Sequence, residues 1–291
     1  MTKQLCIISP EFQGEFLDEL KHLGVTYSYE TKNVIGLEQD NTEPAWAQCV
    51  WRNVKQIEIR SITDAQKKLK TISKKWRYYG DEFNRRGALI AEGIHLAKPE
   101  ESSPAFTLIE TNLILYSENI SRPTVDGIIL FVENKAIPPS RAYLKLWEAL
   151  AILGESPAKG DSVLDLGASP GSWSWALAER GANVLSIDRS PLSNNLNDYK
   201  NIEFKTGDAF SFEPRKMDWL FSDVICYPDK LYQYVERWMK SGLCDKFVCT
   251  IKFAGGPDHK IIDLFRKLPH SRVVHLFNNK NEVTWISHPK I

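Results

Sequence analysis

The chain carries no excess charge of either sign: 37 Lys and Arg balance 37 Asp and Glu across 291 residues. The chain as a whole thus lacks the basic surplus expected of a dedicated, sequence-independent nucleic-acid binder, which leaves local charge to be considered. A secretory start is lacking too, since Met1 to Pro10 has no basic stretch leading into an apolar one, and no apolar run is long enough to cross a bilayer. A cytoplasmic location without a membrane partner is therefore expected. Cysteine is scarce. Cys6, Cys49, Cys226, Cys244 and Cys249 are odd in number, irregularly spaced and form no C-x-x-C, which argues for buried thiols in a reducing compartment over disulfides or zinc. The six histidines form no H-x-x-x-H, so no metal is expected. Internal repeats and low-complexity segments are also missing. What is present is enough apolar material, 43% of residues, for a large core divided into two or three parts.

The sharpest local signal is Val163-Leu164-Asp165-Leu166-Gly167-Ala168-Ser169-Pro170-Gly171-Ser172-Trp173-Ser174. An apolar run ending in Asp-Leu-Gly predicts a buried parallel strand, and Ser172 to Arg180 predicts a helix, so the glycines fall at a strand-to-helix corner. There Gly167 permits unusual backbone angles and Gly171 lets a ligand approach the main chain. A dinucleotide-binding turn would read G-x-G-x-x-G; the spacing Gly167-x-x-x-Gly171 argues against NAD. A second strand, Asn183 to Ile187, ends at Asp188, whose carboxylate can accept both hydroxyls of an adenosyl ribose. A third, starting at Ile202, runs towards Asp208, which can accept from an adenine amino group. Each of Asp165, Asp188 and Asp208 also fits a plain loop-capping carboxylate. Three in step with the glycine turn point to a pocket for S-adenosylmethionine (SAM). Candidate cofactor contacts are Asp165, Gly167, Ala168, Ser169, Pro170, Gly171, Ser172, Trp173, Asp188, Asp208 and Asp223, with Trp173 and Trp175 expected mainly to pack the helix.

From about 136 onward, strands are predicted at 163–167, 183–187, 202–206, 218–222, 246–251, 271–277 and 283–287, and helices at 171–180, 229–240 and 258–267. This alternation predicts an α/β domain with a mainly parallel, Rossmann-like sheet and ligands at the carboxyl ends of its strands. Glu282 precedes its strand, so it reaches that edge only if the last strand runs antiparallel.

On the SAM turn, Asp188, Asp208 and the set Lys145, Asp223, Lys252 and Glu282, residues from about Ser140 to Ser287 resemble the FtsJ-like ribose 2′-O-methyltransferases. The start Pro138-Pro139-Ser140-Arg141-Ala142-Tyr143-Leu144-Lys145-Leu146 and the preceding extra region look most like the bacterial M-type 23S rRNA (cytidine-2′-O) methyltransferases. Departures are Ser172, where many relatives have a second Gly, and a shorter N-terminal part. The resemblance implies SAM as cofactor, no metal, and 23S rRNA or a large-subunit precursor as partner.

The chemistry accounts for these residue types. Methyl transfer from a sulfonium is an in-line displacement, but a ribose 2′-hydroxyl is a poor nucleophile until it loses its proton. A lysine takes that proton only if its pKa is lowered, which burial or a second ammonium does and nearby carboxylates oppose. Lys252, ending an apolar strand, is the expected base, with Lys145 and Asp223 tuning it, Asp223 holding Lys252, and Glu282 fixing lysine geometry or accepting from the ribose. Taken singly, each has a plainer reading: Lys145 and Glu148 as a surface pair, Asp223 as a turn former, Lys252 as a solvated strand end, Glu282 as part of a polar loop.

The rest divides into a small α/β unit at 1–62 and a second region at 63–135, ahead of the methyltransferase domain at 136–291. The first part predicts a strand at Leu5 to Ser9, a helix at Glu11 to Leu23, strands at Thr26 to Tyr29 and Asn33 to Leu37, a helix near Trp46 and a strand at Gln56 to Ile62. The second has a basic stretch, a polar loop at 98–104, and β-rich runs at Phe106 to Tyr116 and Gly127 to Val132. It looks similar to the THUMP-type RNA-binding unit. Between Lys67 and Arg86, Lys67, Lys68, Lys70, Lys74, Lys75, Arg77, Arg85 and Arg86 interleave with Trp76, Tyr78 and Tyr79. Cations beside aromatic rings suit an RNA groove; a solvated helical face with its aromatics in the core fits equally. Candidate RNA contacts are Lys67, Lys68, Lys74, Lys75, Arg77 and Arg141. Three functions follow: ribose 2′-O-methylation of 23S rRNA, SAM-dependent methylation of another RNA (tRNA or another rRNA site) or a non-RNA substrate, or a noncatalytic RNA-binding or ribosome-assembly protein that retains the fold.

Overall fold

The computed structural model describes residues 1–98 and 101–291. It forms two compact units, Met1–Ile129 and Leu130–Ile291.

The first unit holds two sheets. One contains β1 (Gln4–Ile7), β2 (Tyr27–Glu30), β3 (Val34–Leu37), β4 (Cys49–Arg52) and β9 (Asn119–Ile120), in the order β2-β3-β1-β4-β9 and antiparallel throughout. The other contains β5 (Lys55–Glu58), β6 (Arg77–Tyr78), β7 (Ala105–Glu110) and β8 (Leu113–Ser117), in the order β5-β8-β7-β6. Helices α1 (Gln13–Leu23), α2 (Ile62–Ile72) and α3 (Asn84–Glu92) complete the unit. Side chains alternate along a strand. In β8, Ile114 and Tyr116 therefore join a core with Leu69 of α2 and Ile90 of α3, while Leu115 joins Leu5, Val34 and Trp51 of the five-stranded sheet.

No boundary falls at residue 62. β5, from the expected first part, pairs with β8, and β9, from the expected second part, pairs with β4, so 1–129 folds as one unit. The stretch near Trp46 is a turn and not a helix, because the buried Glu19 carboxylate accepts from the backbone N–H groups of Ala45 (2.8 Å) and Trp46 (3.0 Å). The strand expected to reach Ile62 stops at Glu58, and Ser61 caps α2 by accepting from Asp64 N–H. The run Phe106 to Tyr116 is a hairpin turning at Thr111-Asn112, whereas Gly127 to Val132 forms no strand: Gly127 has φ +82° and Leu130 and Val132 stand in solvent. Residues 99 and 100 of the polar loop lie outside the described residues.

The second unit is built on α4 (Tyr143–Leu153), β10 (Ser162–Leu166), α5 (Ser172–Ala178), β11 (Asn183–Asp188), β12 (Ile202–Thr206), β13 (Trp219–Ser222), α6 (Pro228–Ser241), β14 (Phe247–Lys252), α7 (His259–Arg266), β15 (Ser271–Val274) and β16 (Glu282–Ser287). Its seven-stranded sheet has the order β12-β11-β10-β13-β14-β16-β15. Pairs from β12 through β14 are parallel, and β16 runs antiparallel to both neighbours. Helices cover both faces. Trp219, Phe221, Val248 and Ile286 pack with α4 and α5, while Trp285 stacks near Phe247 of β14 and Phe265 of α7. Burial on both faces explains why these strands read as near-continuous apolar runs. β15 stops at Val274, short of the predicted 277, because Glu148 of α4 takes the Phe277 N–H at 2.7 Å.

Candidate active site

Strand order reverses between β10 and β13, and a crevice opens at the carboxyl ends of parallel strands at such a switch point. An open cavity of about 840 Å³ lies there, lined among others by Gly167, Ser169, Pro170, Asp188, Asp208, Asp223 and Lys252.

At its inner wall four charges form one cluster. Lys145 Nζ donates to Asp223 Oδ1 (2.9 Å) and Oδ2 (3.0 Å) and to Glu282 Oε1 (2.9 Å). Lys252 Nζ donates to the Asp223 carbonyl at 2.6 Å and pairs with Asp223 Oδ1 at 3.0 Å. Each comes from a different element: Lys145 from the first turn of α4, Asp223 from just after β13, Lys252 from the end of β14, Glu282 from the start of β16. Antiparallel pairing puts Lys252 and Glu282 opposite each other in register. Even so, the Glu282 carboxylate is bonded to Lys145, so its geometry-fixing role falls on that lysine. The lysines differ in access: the side chain of Lys145 is 10% exposed and that of Lys252 23%. Only Lys252 of the two lines the cavity. Burial pulls the Lys145 pKa down, but the charges of Asp223 and Glu282 and their hydrogen bonds outweigh it, and the net shift is upward. Lys145 is a fixed ammonium.

Glu148, one helical turn on from Lys145, is not its surface partner. It is buried and accepts from Phe277 N–H, Asn278 N–H (3.2 Å) and Asn278 Nδ2 (2.9 Å), holding the loop that leads to Glu282. A signal existed in the sequence: two opposite charges on one face of an otherwise apolar helix.

The glycine turn divides the expected cofactor contacts into two groups. Gly167, Ser169, Pro170, Asp188, Asp208 and Asp223 face the cavity. Asp165, Ala168, Gly171, Ser172 and Trp173 do not line it. Asp165 is buried, accepting from Ser174 Oγ at 2.6 Å, and burial, with Asp223 and Asp188 adding and Ser174 opposing, raises its pKa to about 7. Ser172 Oγ contacts Ser140 Oγ at 2.8 Å, and Trp173 Nε1 donates to Ala142 O at 2.8 Å, so both dock the start of α4 onto α5. A Cβ on Gly171 (φ +113°) would meet Leu196 Cδ1 at 2.3 Å, and one on Gly167 (φ +72°) would meet Val224 Cα at 2.6 Å. Close approach by the protein itself excludes side chains here.

The cavity fits SAM by its donor and acceptor set. Asp188 accepts from Ser169 N–H (3.0 Å) and Ser190 N–H (2.9 Å), and a carboxylate with four acceptor sites has capacity left for a ribose diol. Asp208 is held below its ordinary pKa by the Phe210 N–H and by Arg189, so it stays an acceptor. Arg189, Phe210, Val224, Ile225, Cys226, Tyr227, Lys230, Phe253 and Ala254 also line the cavity and were not among the expected residues. Position could have found most of them, since they follow the carboxyl ends of β11, β13 and β14.

The basic stretch is less free than its composition suggested. Trp76 is fully buried, and the partly buried Tyr78 packs on Phe106 at 5.1 Å and Tyr79 on Trp51 at 6.4 Å, so these rings pack against the core. Arg77 donates to Ser103 O (2.9 and 2.7 Å) and Pro123 O (2.9 Å), a structural use of its guanidinium. Lys68 donates to Glu58 O, and Lys75 pairs with Glu101. Lys67, Lys70 and Lys74 are exposed. Arg141 is exposed but bonded to Glu133.

The sheet order, the glycine turn at its switch point and the acidic strand ends define a Rossmann-like, SAM-dependent methyltransferase domain. Residues 138–291 match the FtsJ-like methyltransferase family, to which the chain belongs. Two curated relatives, each named ribosomal RNA large subunit methyltransferase M, are from Halorhodospira halophila (43% identity over 50% of this chain and 46% of that protein) and Thauera aminoaromatica (29% identity over 50% and 45%). The chain spans about half the length of these relatives in each match. Among solved structures, a TehB-like SAM-dependent methyltransferase from Corynebacterium glutamicum is similar at 14% identity and TM-score 0.34, covering 50% of this chain and 96% of that one.

Proposed function

We propose that the chain transfers a methyl group from SAM to a ribose 2′-hydroxyl of large-subunit ribosomal RNA. The observation that carries this reading is the part-buried Lys145–Asp223–Lys252–Glu282 cluster opening, through Lys252, onto the cavity of Asp188 and Asp208. SAM supplies an electrophilic methyl group on a sulfonium. Lys252 faces the cavity and takes the hydroxyl proton. Asp223 orients it through both its carbonyl and its carboxylate. Lys145, protonated, holds Asp223 and Glu282 in place, and Glu148 secures the loop behind Glu282. Two lysines on one carboxylate are more than an acidic or thiol nucleophile would require, which favours a ribose over a readily ionised group. The names of the relatives support large-subunit rRNA as the substrate class. The N-terminal unit, THUMP-like in its part beyond residue 62, adds RNA contacts through Lys67, Lys70 and Lys74.

Labelled SAM and unmodified large-subunit rRNA, followed by mapping of ribose methylation, test the reading. Lys252→Ala is expected to lower single-turnover transfer by roughly a hundredfold to ten-thousandfold with SAM affinity retained. Lys252→Arg is expected to fail almost as badly, because guanidinium stays protonated. Methylation on a base instead of a ribose, or near-normal transfer by Lys252→Arg, would refute the assignment.

A further inference from the structure

Two large apolar side chains on the cavity wall are left in water by the fold. Ile225 is 87% exposed and Tyr227 77%, yet both line the same cavity as Asp223 and Lys252. Their loop is anchored at both ends. Asp223 N–H donates to Leu166 O at 3.2 Å, and its carbonyl accepts from Lys252. Tyr227 is the N-cap residue of α6, its carbonyl accepting from Lys230 N–H (3.0 Å) and Leu231 N–H (3.3 Å), with Pro228 opening the helix. A fixed backbone thus holds an aromatic ring and a branched apolar side chain in solvent, where exposure opposes stability.

The reaction says what covers them. In a nucleoside the base is borne on C1′, directly bonded to C2′, so a 2′-hydroxyl brought to Lys252 carries its base to the surrounding cavity wall. That base has left its own stack, and unstacked RNA bases are held on aromatic faces. We propose that Tyr227, supported by Ile225, is the stacking platform for the base of the target nucleoside in unpaired RNA. This rests on the ribose-methylation reading above. Since every base has a π-face, the platform positions the sugar and does not select the base. Tyr227 is a positioning residue; the proton chemistry stays with the lysine cluster.

Two measurements on the full chain test it. One titrates the protein, with S-adenosylhomocysteine present, with a fluorescent unpaired RNA of mixed sequence and about a dozen nucleotides. The other follows methyl transfer to unmodified large-subunit rRNA and separates kcat from KM. Tyr227→Ala is expected to weaken RNA binding and lower kcat/KM by roughly 5- to 150-fold, the span of one base stack. SAM affinity by calorimetry should hold. Tyr227→Phe and Tyr227→Trp should restore function and Tyr227→Leu should not, since it supplies apolar area without a ring. Values for Tyr227→Ala within twofold of the unaltered protein, rescue by leucine equal to that by phenylalanine, or a loss confined to SAM affinity would each overturn the platform. If the unaltered protein methylates no ribose while Tyr227→Ala still weakens RNA binding, the methylation reading fails and the ring stands as an RNA contact.

Discussion

Replacing Lys145 by methionine keeps the length of the side chain but removes one ammonium from a site where two carboxylates are held largely out of water. Asp223 and Glu282 are 17% and 12% exposed, and both lose a partner at 2.9 Å. Breaking a buried pair from one side costs about 3–5 kcal/mol, because the remaining charge stays buried. Asp223 keeps Lys252 and both carboxylates retain some water, so the lower end, about 3 kcal/mol, is expected. For a domain of this size that is a fall in Tm of roughly 6–12 °C. Lys145 lies above its ordinary 10.5 because Asp223 and Glu282 outweigh burial. Its stabilisation is therefore complete below the unfolded-state value and is lost only as pH rises through the higher folded-state value. Across neutral and mildly alkaline pH the gap between Lys145→Met and the unaltered protein should stay flat. Adding Glu282→Gln removes an orphaned charge, so the double variant should recover about 1–2 kcal/mol over the sum of the single losses, without recovering methyl transfer. Calorimetric melting of the four proteins decides it: a Lys145→Met shift under about 2 °C, or strict additivity, would show that the cluster is solvated and the reasoning unsound.

Asp165 makes a prediction of opposite slope. Its pKa is raised to about 7 from 3.8, chiefly by burial, so the folded state binds the proton more tightly and stability falls as pH climbs between those values. The total is of order 4 kcal/mol. Asp165→Asn should therefore gain on the unaltered protein in urea melts as pH rises from acid to neutral, and a pH-independent difference would refute the shift. Gly167→Ala places a methyl 2.6 Å from Val224 Cα at φ +72°, whereas Gly160→Ala, at φ +91°, meets nothing within 4 Å. Both pay about 1–2 kcal/mol of left-handed strain, but only Gly167→Ala should melt well below that and lose SAM affinity; equal losses would remove the packing argument. Replacing Lys67, Lys70 and Lys74 together should flatten the salt dependence of RNA binding by about 0.7 in log–log slope per lost single-strand phosphate contact. An unchanged slope would leave the three as a solvated face.

Local order determined a good deal of this protein. Apolar runs and glycine placement marked the strands of the catalytic sheet within a few residues, most sharply the central β10, β13 and β14, because a parallel strand buried on both faces must be apolar throughout. The requirement that Glu282 reach the same edge as Asp223 and Lys252 implied an antiparallel last strand, and β16 does pair antiparallel with β14. Tertiary structure decided the rest. Which carboxylate serves which lysine depends on side-chain reach across α4, β13, β14 and β16, elements far apart in the chain. The inward turn of Asp165, Ser172 and Trp173 depends on which face of the corner meets α4 and α5. In the N-terminal unit, Arg77 read as an RNA contact by composition and the rings beside it fitted an RNA groove or the core equally, yet Arg77 is committed to the carbonyls of Ser103 and Pro123 and Tyr78 packs on Phe106. Composition records which groups are available. Only packing settles whether each is spent on the protein or left for a ligand.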